Sequence, residues 1–289
     1  MKTVMCSQTG FCHGVQKTLN AAEQLLRGKI PCYSIGTLIH NNSVAKHFTD
    51  RGLKIIEKPS DAKPSAALVR AHGISDFLRK DFESNGFELK DATCANILKT
   101  KQLIKEAYAN GRTIVVIGLE KHAETVCLAG NMKHDGTPIP VFVVQNADNA
   151  LSFIREHRAE EKVSVFVQTT FEEKLYNDIS DILRKHFISC VFENGLCPVC
   201  IARRRAALEL AGATDAVVVV GGKKSQNTKS ISAIIRETGK EVFEVETVKD
   251  IDKTMVEKIR VLKSVGICGG TSTPQEDLEA VRTFLEIIV

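Results

Sequence analysis

Short β-branched runs alternate with segments of helical periodicity from one end of the chain to the other. This alternation predicts an α/β fold with largely parallel sheets. The runs that read as strands are Thr3–Cys6, Cys32–Ile35, Ala67–Val69, Thr113–Ile117, Val141–Val144, Val163–Val167, Ala216–Val220, Glu241–Val245 and Ser264–Ile267. Helical spacing is clearest over Val15–Arg27, Ala95–Tyr108, Glu172–His186 and Lys229–Thr238. No apolar run approaches the roughly 20 residues that a membrane span requires. The first ten residues carry one lysine and no long apolar region, so no secretory signal is expected and the expected location is cytoplasmic.

Composition narrows this picture in three ways. A chain of 289 residues, 43% hydrophobic, has length for two or three compact units. Its formal net charge of +4 is scattered, which argues against nucleic acid and leaves a small anionic substrate possible. Nine cysteines are an odd number, and a chain of this size needs no disulfide staples, so metal or redox chemistry is the better use for them.

The chemistry-bearing residues gather where strands give way to helices, the edge at which open α/β sheets bind ligands. Cys12 lies in Gly10-Phe-Cys-His-Gly-Val15, Cys94 closes Asp91-Ala-Thr-Cys94, and Cys197 opens Cys197-Pro-Val-Cys200. They are 82 and 103 residues apart, one per segment of similar size. Three thiolates without a fourth in matched context suit an iron–sulfur cluster with one iron left open to substrate. Cys197-Pro-Val-Cys200 by itself also reads as a redox or zinc pair, although it lacks a matching second pair. Cys6, Cys32, Cys127, Cys190 and Cys268 sit in or beside apolar runs and read as small core residues.

The same edges carry His40-Asn41, Ala71-His72-Gly73 and His122-Ala-Glu124. Imidazoles can donate hydrogen bonds to an anion, and Glu124 adds a possible proton donor. Gln168-Thr169-Thr170 closes a strand with two hydroxyls. Ser225 and Asn227 at one helix start, and Ser272 before another, would suit phosphate oxygens.

Taken together, the ordered motifs Gly-Phe-Cys-x-Gly-Val, His-Asn, Ala-His-Gly, Asp-Ala-Thr-Cys, His-x-Glu, Gln-Thr-Thr, Cys197, Ser225-x-Asn227 and Gly-x-Ser272-x-Pro resemble the LytB/IspH family of hydroxymethylbutenyl diphosphate reductases. The resemblance runs from Gly10 to Pro274. It implies three similar α/β domains in a trefoil around a central 4Fe-4S cluster, held by Cys12, Cys94 and Cys197 with one iron not ligated by protein. The domains would span 13–95, with the N-terminal strand 1–12 and C-terminal helix 276–289 alongside, then 96–195 and 196–275. His40, His72, His122, Ser225, Asn227 and Ser272 would bind the diphosphate, and Glu124, helped by Thr169 and His122, would supply protons. The implied reaction is two-electron reductive dehydroxylation to isopentenyl and dimethylallyl diphosphate, fed by a one-electron donor protein such as ferredoxin or flavodoxin. No nucleic-acid or membrane partner is expected.

The chain departs from the family beside the expected cluster. His13 stands where alanine is usual, Ala95-Asn96 where proline and an aliphatic residue are usual, and Ala123 replaces proline. Where the family commonly reads Cys-Tyr-Ala-Thr-Gln-Asn, this chain reads Cys197-Pro-Val-Cys-Ile-Ala, so the Cys200 thiol replaces a hydroxyl. Gln226 replaces a second serine. Cys200, His13 and Gln226 are therefore candidates for specificity or for tuning the cluster environment. They motivate an alternative, a relative acting on a different small substrate at an open-iron cluster. A third reading is an iron–sulfur redox sensor or zinc-binding protein.

Overall fold

A computed structural model describes residues 1–28 and 31–288, so residues 29 and 30 of the expected first domain and residue 289 of the expected C-terminal helix lie outside the described residues. The described chain falls into two compact units. One comprises Met1–Gln16, Ile39–His47 and Cys197–Val289, and the other Lys17–Leu38 and Phe48–Leu196.

The strands among the described residues are β1 (Lys2–Met5), β2 (Cys32–Ile35), β3 (Leu53–Ile56), β4 (Ala66–Val69), β5 (Glu88–Asp91), β6 (Thr113–Ile117), β7 (Val141–Val144), β8 (Lys162–Val167), β9 (Ser189–Phe192), β10 (Ala216–Val220), β11 (Glu241–Val245) and β12 (Ser264–Gly269). The helices are α1 (His13–Arg27), α2 (Asn42–Asp50), α3 (Asp76–Ser84), α4 (Ala95–Ala109), α5 (Ala123–Ala129), α6 (Ala147–Glu156), α7 (Glu173–His186), α8 (Pro198–Ala213), α9 (Gln226–Glu237), α10 (Lys253–Arg260) and α11 (Gln275–Ile287). They form an α/β fold with three all-parallel, four-stranded sheets, ordered β1-β12-β10-β11, β3-β2-β4-β5 and β7-β6-β8-β9.

Every strand expected from the sequence is present, and three more appear: β3, β5 and β9. All three are edge strands. Their polar or mixed sequences, Leu-Lys-Ile-Ile, Glu-Leu-Lys-Asp and Ser-Cys-Val-Phe, lack the continuous apolar run that marks a strand covered on both faces.

The first unit holds the β1-β12-β10-β11 sheet. Its central strand β10 reads Ala-Val-Val-Val-Val because both faces are covered. Ala216, Val218 and Val220 pack with Leu278, Val281 and Leu285 of α11, whereas Val217 and Val219 pack with Ala206, Leu210 and Ile231 of α8 and α9. Each buried valine contributes about 1.5–3 kcal/mol. Gly266 in β12 lets α8 close on the sheet, since a Cβ there would stand 2.7 Å from Leu210 Cγ. That contact fixes the helix whose N-cap is Cys197.

The second unit holds the other two sheets, joined at Ile74 and Asp76. Lys101 of α4 donates to the Ile74 carbonyl at 3.0 Å and to Asp76 at 2.6 Å, Lys105 pairs with Asp76 at 2.8 Å, and the Cys127 thiol donates to Ile74 at 3.2 Å. Burial pushes the Asp76 carboxyl upward, but the two lysines outweigh it and hold the group below its ordinary range. No helix among the described residues is long and apolar enough to cross a membrane.

Candidate active site

In the second unit the carboxyl ends of β4, β6 and β8 carry His72, His122 and Thr169. His122 is the N-cap of α5, and its Nδ1 accepts from the Glu124 amide at 3.2 Å. A neutral His122 ring therefore carries its proton on Nε2, which leaves that nitrogen a donor. The His72 and His122 rings meet edge to face with centroids 5.5 Å apart. Glu124 is 1% exposed, in the first turn of α5. Thr169 holds both of its oxygens, the amide donating to Oε1 at 2.7 Å and the hydroxyl to Oε2 at 2.8 Å. One residue thus fixes the plane of the carboxyl and places a hydroxyl on it.

Gln168, which sequence reasoning passed over in favour of the neighbouring threonines, aligns this pair. Fully buried, its Oε1 accepts from the Leu119 amide at 3.0 Å and the Thr125 hydroxyl at 3.2 Å, and its Nε2 donates to Thr170 Oγ1 at 2.9 Å. It ties the loop after β8 to the loop after β6. Cys94, half-buried, is the N-cap of α4, and its amide donates to the Ala71 carbonyl at 3.0 Å, next to His72. Gly73 has φ +70°, and a Cβ there would lie 2.7 Å from Cys127 Sγ, so the turn carrying His72 requires glycine.

In the first unit Cys12 follows β1 and Cys197 caps α8, with Pro198 at the first helical position. The Cys197 thiol is lowered to about 6, first by the hydrogen bond from the Cys200 thiol and then by the amides of Cys200 and Val199 and the Arg203 charge, against the opposing effect of burial. Cys200, 2% exposed, is raised well above its ordinary range because it gives its proton to Cys197 and is buried. Cys6, Cys32, Cys127 and Cys268 are buried, as expected of core cysteines, whereas Cys190 on edge strand β9 is only half-buried. His13, the first residue of α1, is exposed, and among the described residues no hydrogen bond or ion pair joins it to another candidate.

The carboxyl ends of β10 and β12 carry the other candidates of this unit. Ser225 is the N-cap of α9, its hydroxyl accepting from the Thr228 amide at 3.3 Å, and Gln226 is half-buried at the helix start. Asn227 is 2% exposed, and neither its Oδ1 nor its Nδ2 has a hydrogen-bond partner. A buried amide with two unmet groups is costly alone and is suited to a polar ligand. The Ser272 hydroxyl donates to the His40 carbonyl at 3.4 Å. Gly222 is needed for this approach, because a Cβ there would stand 2.1 Å from the His40 carbonyl oxygen. Sequence reasoning missed Glu246, whose carboxylate accepts from the Asn42 amide at 2.6 Å and side chain at 3.0 Å and so anchors the chain just after His40. Its only sequence signal is a carboxylate directly after a strand.

The family model described as LytB protein matches residues 3–286. The chain belongs to the LytB family. This LytB chain is 32% identical to a Kosmotoga olearia protein named 4-hydroxy-3-methylbut-2-enyl diphosphate reductase, over 99% of the chain and 95% of that protein. A Caldanaerobacter subterraneus protein of the same name is 31% identical, over 97% of the chain and 95% of that protein. The solved structure of the E-1-hydroxy-2-methyl-but-2-enyl-4-diphosphate reductase from Plasmodium falciparum superposes with a TM-score of 0.86 at 22% identity, covering 99% of the chain and 87% of that one. The LytB fold is therefore shared at an identity too low to carry more than architecture. Cys12, Cys94 and Cys197 are each a half-buried thiol beside a helix start, and the Cys197 thiol is lowered to about 6, so each residue taken singly has the chemistry of an iron–sulfur ligand.

Proposed function

We propose that this chain is a 4-hydroxy-3-methylbut-2-enyl diphosphate reductase that holds a 4Fe-4S cluster on Cys12, Cys94 and Cys197, with one iron not ligated by protein. The three-domain division at 13–95, 96–195 and 196–275 belongs to the same proposal. Family membership supports it, and the observation that carries it is the Glu124 carboxyl, buried and gripped at both oxygens by Thr169.

Reductive dehydroxylation consumes two electrons and two protons, releases water and leaves an alkene. When bound, the cluster supplies the electrons, delivered singly by a donor protein such as ferredoxin or flavodoxin. The chain supplies the rest. Asn227, with its unmet amide, joins Ser225, Ser272, His40, His72 and His122 in holding the diphosphate. With His122 Nδ1 committed to the Glu124 amide, its Nε2 is the nitrogen that donates to that anion. Glu124 gives a proton to the departing hydroxyl, and Thr169 returns one through its bonded hydroxyl. Burial of Glu124 keeps bulk water from competing for that proton.

The deciding experiment is anaerobic turnover of the hydroxymethylbutenyl diphosphate with a reduced one-electron donor, on protein whose iron and sulfide content is measured first. Consumption with release of the two isomeric diphosphates is expected. A fully loaded protein that consumes none would refute the assignment.

A further inference from the structure

Arg203 is 4% exposed, one and two-thirds helical turns beyond Cys197 on α8. Its guanidinium bonds four carbonyl oxygens on two loops. One terminal nitrogen donates to Gly269 at 3.3 Å and Gly270 at 3.1 Å, the other to Thr9 at 3.2 Å and Gly10 at 2.5 Å. The Thr9-Gly10 loop leads to Cys12, and the Gly269-Gly270 loop leads to Ser272. The two loops are also joined by the Cys12 amide, which donates to the Thr271 carbonyl at 3.1 Å. One side chain thus ties the helix of Cys197, the loop of Cys12 and the loop of Ser272 together within the first unit.

Among the described residues no carboxylate bonds this buried cation, and its Nε has no partner. Burial disfavours its charge, and the group that does most to offset this is Cys12. A buried cation without a counter-ion is unfavourable, and it is retained where negative charge arrives from elsewhere. Three thiolates carrying an iron–sulfur centre bring that charge, and reduction of the centre increases it.

We propose that Arg203 is a positioning residue for the Cys12 and Ser272 loops, and that its buried charge raises the reduction potential of the cluster held on Cys12 and Cys197. The electrostatic half rests on the cluster assignment. The positional half does not. Nothing in the sequence singles out this residue among the three consecutive arginines Arg203, Arg204 and Arg205.

The test uses Arg203→Lys, which keeps the charge but loses the fork, and Arg203→Gln, which loses the charge. In cluster-free protein, hydrogen exchange at the Cys12 amide should speed up about tenfold or more in both variants. In reconstituted protein, Arg203→Gln should shift the midpoint potential to a more negative value, and Arg203→Lys should stay near wild type. An unchanged Cys12 amide in both variants overturns the proposal, as does an unchanged potential in Arg203→Gln or an equal shift in both. Should neither variant fold, nitrogen NMR of the wild-type cluster-free protein decides. Separate, slowly exchanging Arg203 Nη–H signals support the clamp, and a single averaged signal overturns it. A wild-type protein that assembles no cluster removes the reductase assignment but leaves the exchange and NMR readings able to judge the clamp.

Discussion

Glu124 and Asn227 pose opposite problems for the protein. Glu124 has both oxygens satisfied by Thr169, so its geometry is set before any ligand arrives. Glu124→Gln is expected to fold, because the amide oxygen still accepts from the Thr169 backbone, while kcat falls about 100-fold or more with KM little changed. Steady-state kinetics on protein of matched iron content checks this. Asn227 has no protein partner for either polar atom. Asn227→Ala removes no internal hydrogen bond, so thermal unfolding of the cluster-free protein should change by no more than about 1 kcal/mol. The same change should raise KM for the diphosphate about tenfold. A large loss of stability with unchanged KM would instead make Asn227 structural. Cys197 titrates at about 6 chiefly because Cys200 bonds it. In cluster-free, reduced protein its alkylation should reach half its maximal rate near that pH, with Cys200 unreactive, and Cys200→Ala should move the midpoint up toward the ordinary thiol range.

Among the elements, the strand-to-helix junctions were more legible than the edges of the sheets. Cys12, Cys94 and Cys197 announced themselves because each falls between an apolar run and a helical pattern, and α4 and α8 do begin at Cys94 and Cys197. Strands β3, β5 and β9 were not legible, since an edge strand needs only part of its surface apolar. Gln168, Arg203 and Glu246 were illegible for another reason. Each acts by bonding chain far away in sequence, so the local pattern does not reveal the partner it meets. The glycines after β10 carry the clearest element-level prediction. Gly222→Ala would drive a methyl into the His40 carbonyl, so it is expected to destabilise by about 2–4 kcal/mol, measured by urea unfolding of the cluster-free protein.

Across the whole molecule the candidate ligands and acid lie in the loops and helix starts that follow the strands. The two sheets of the second unit depend on Asp76 and its two lysines. Because this carboxyl is held below its ordinary range, its contribution is present above about pH 4 and is lost as the pH falls through the depressed value. Asp76→Asn should therefore cost about 2 kcal/mol at pH 7, and the gap from wild type should narrow in acid. The first unit is held by a different device, the pairing of β1 with β12. A chain leaves the ribosome from its N-terminus and folds in that order where it can. Residues 48–196 are continuous and need not wait for the end of synthesis. Strand β1 must wait for β12 to be made, and the Cys12 amide waits for Thr271. The backbone of Cys12 gains this partner only after Thr271 has been synthesised, so the nascent cysteine spends a time without the contact that fixes its loop.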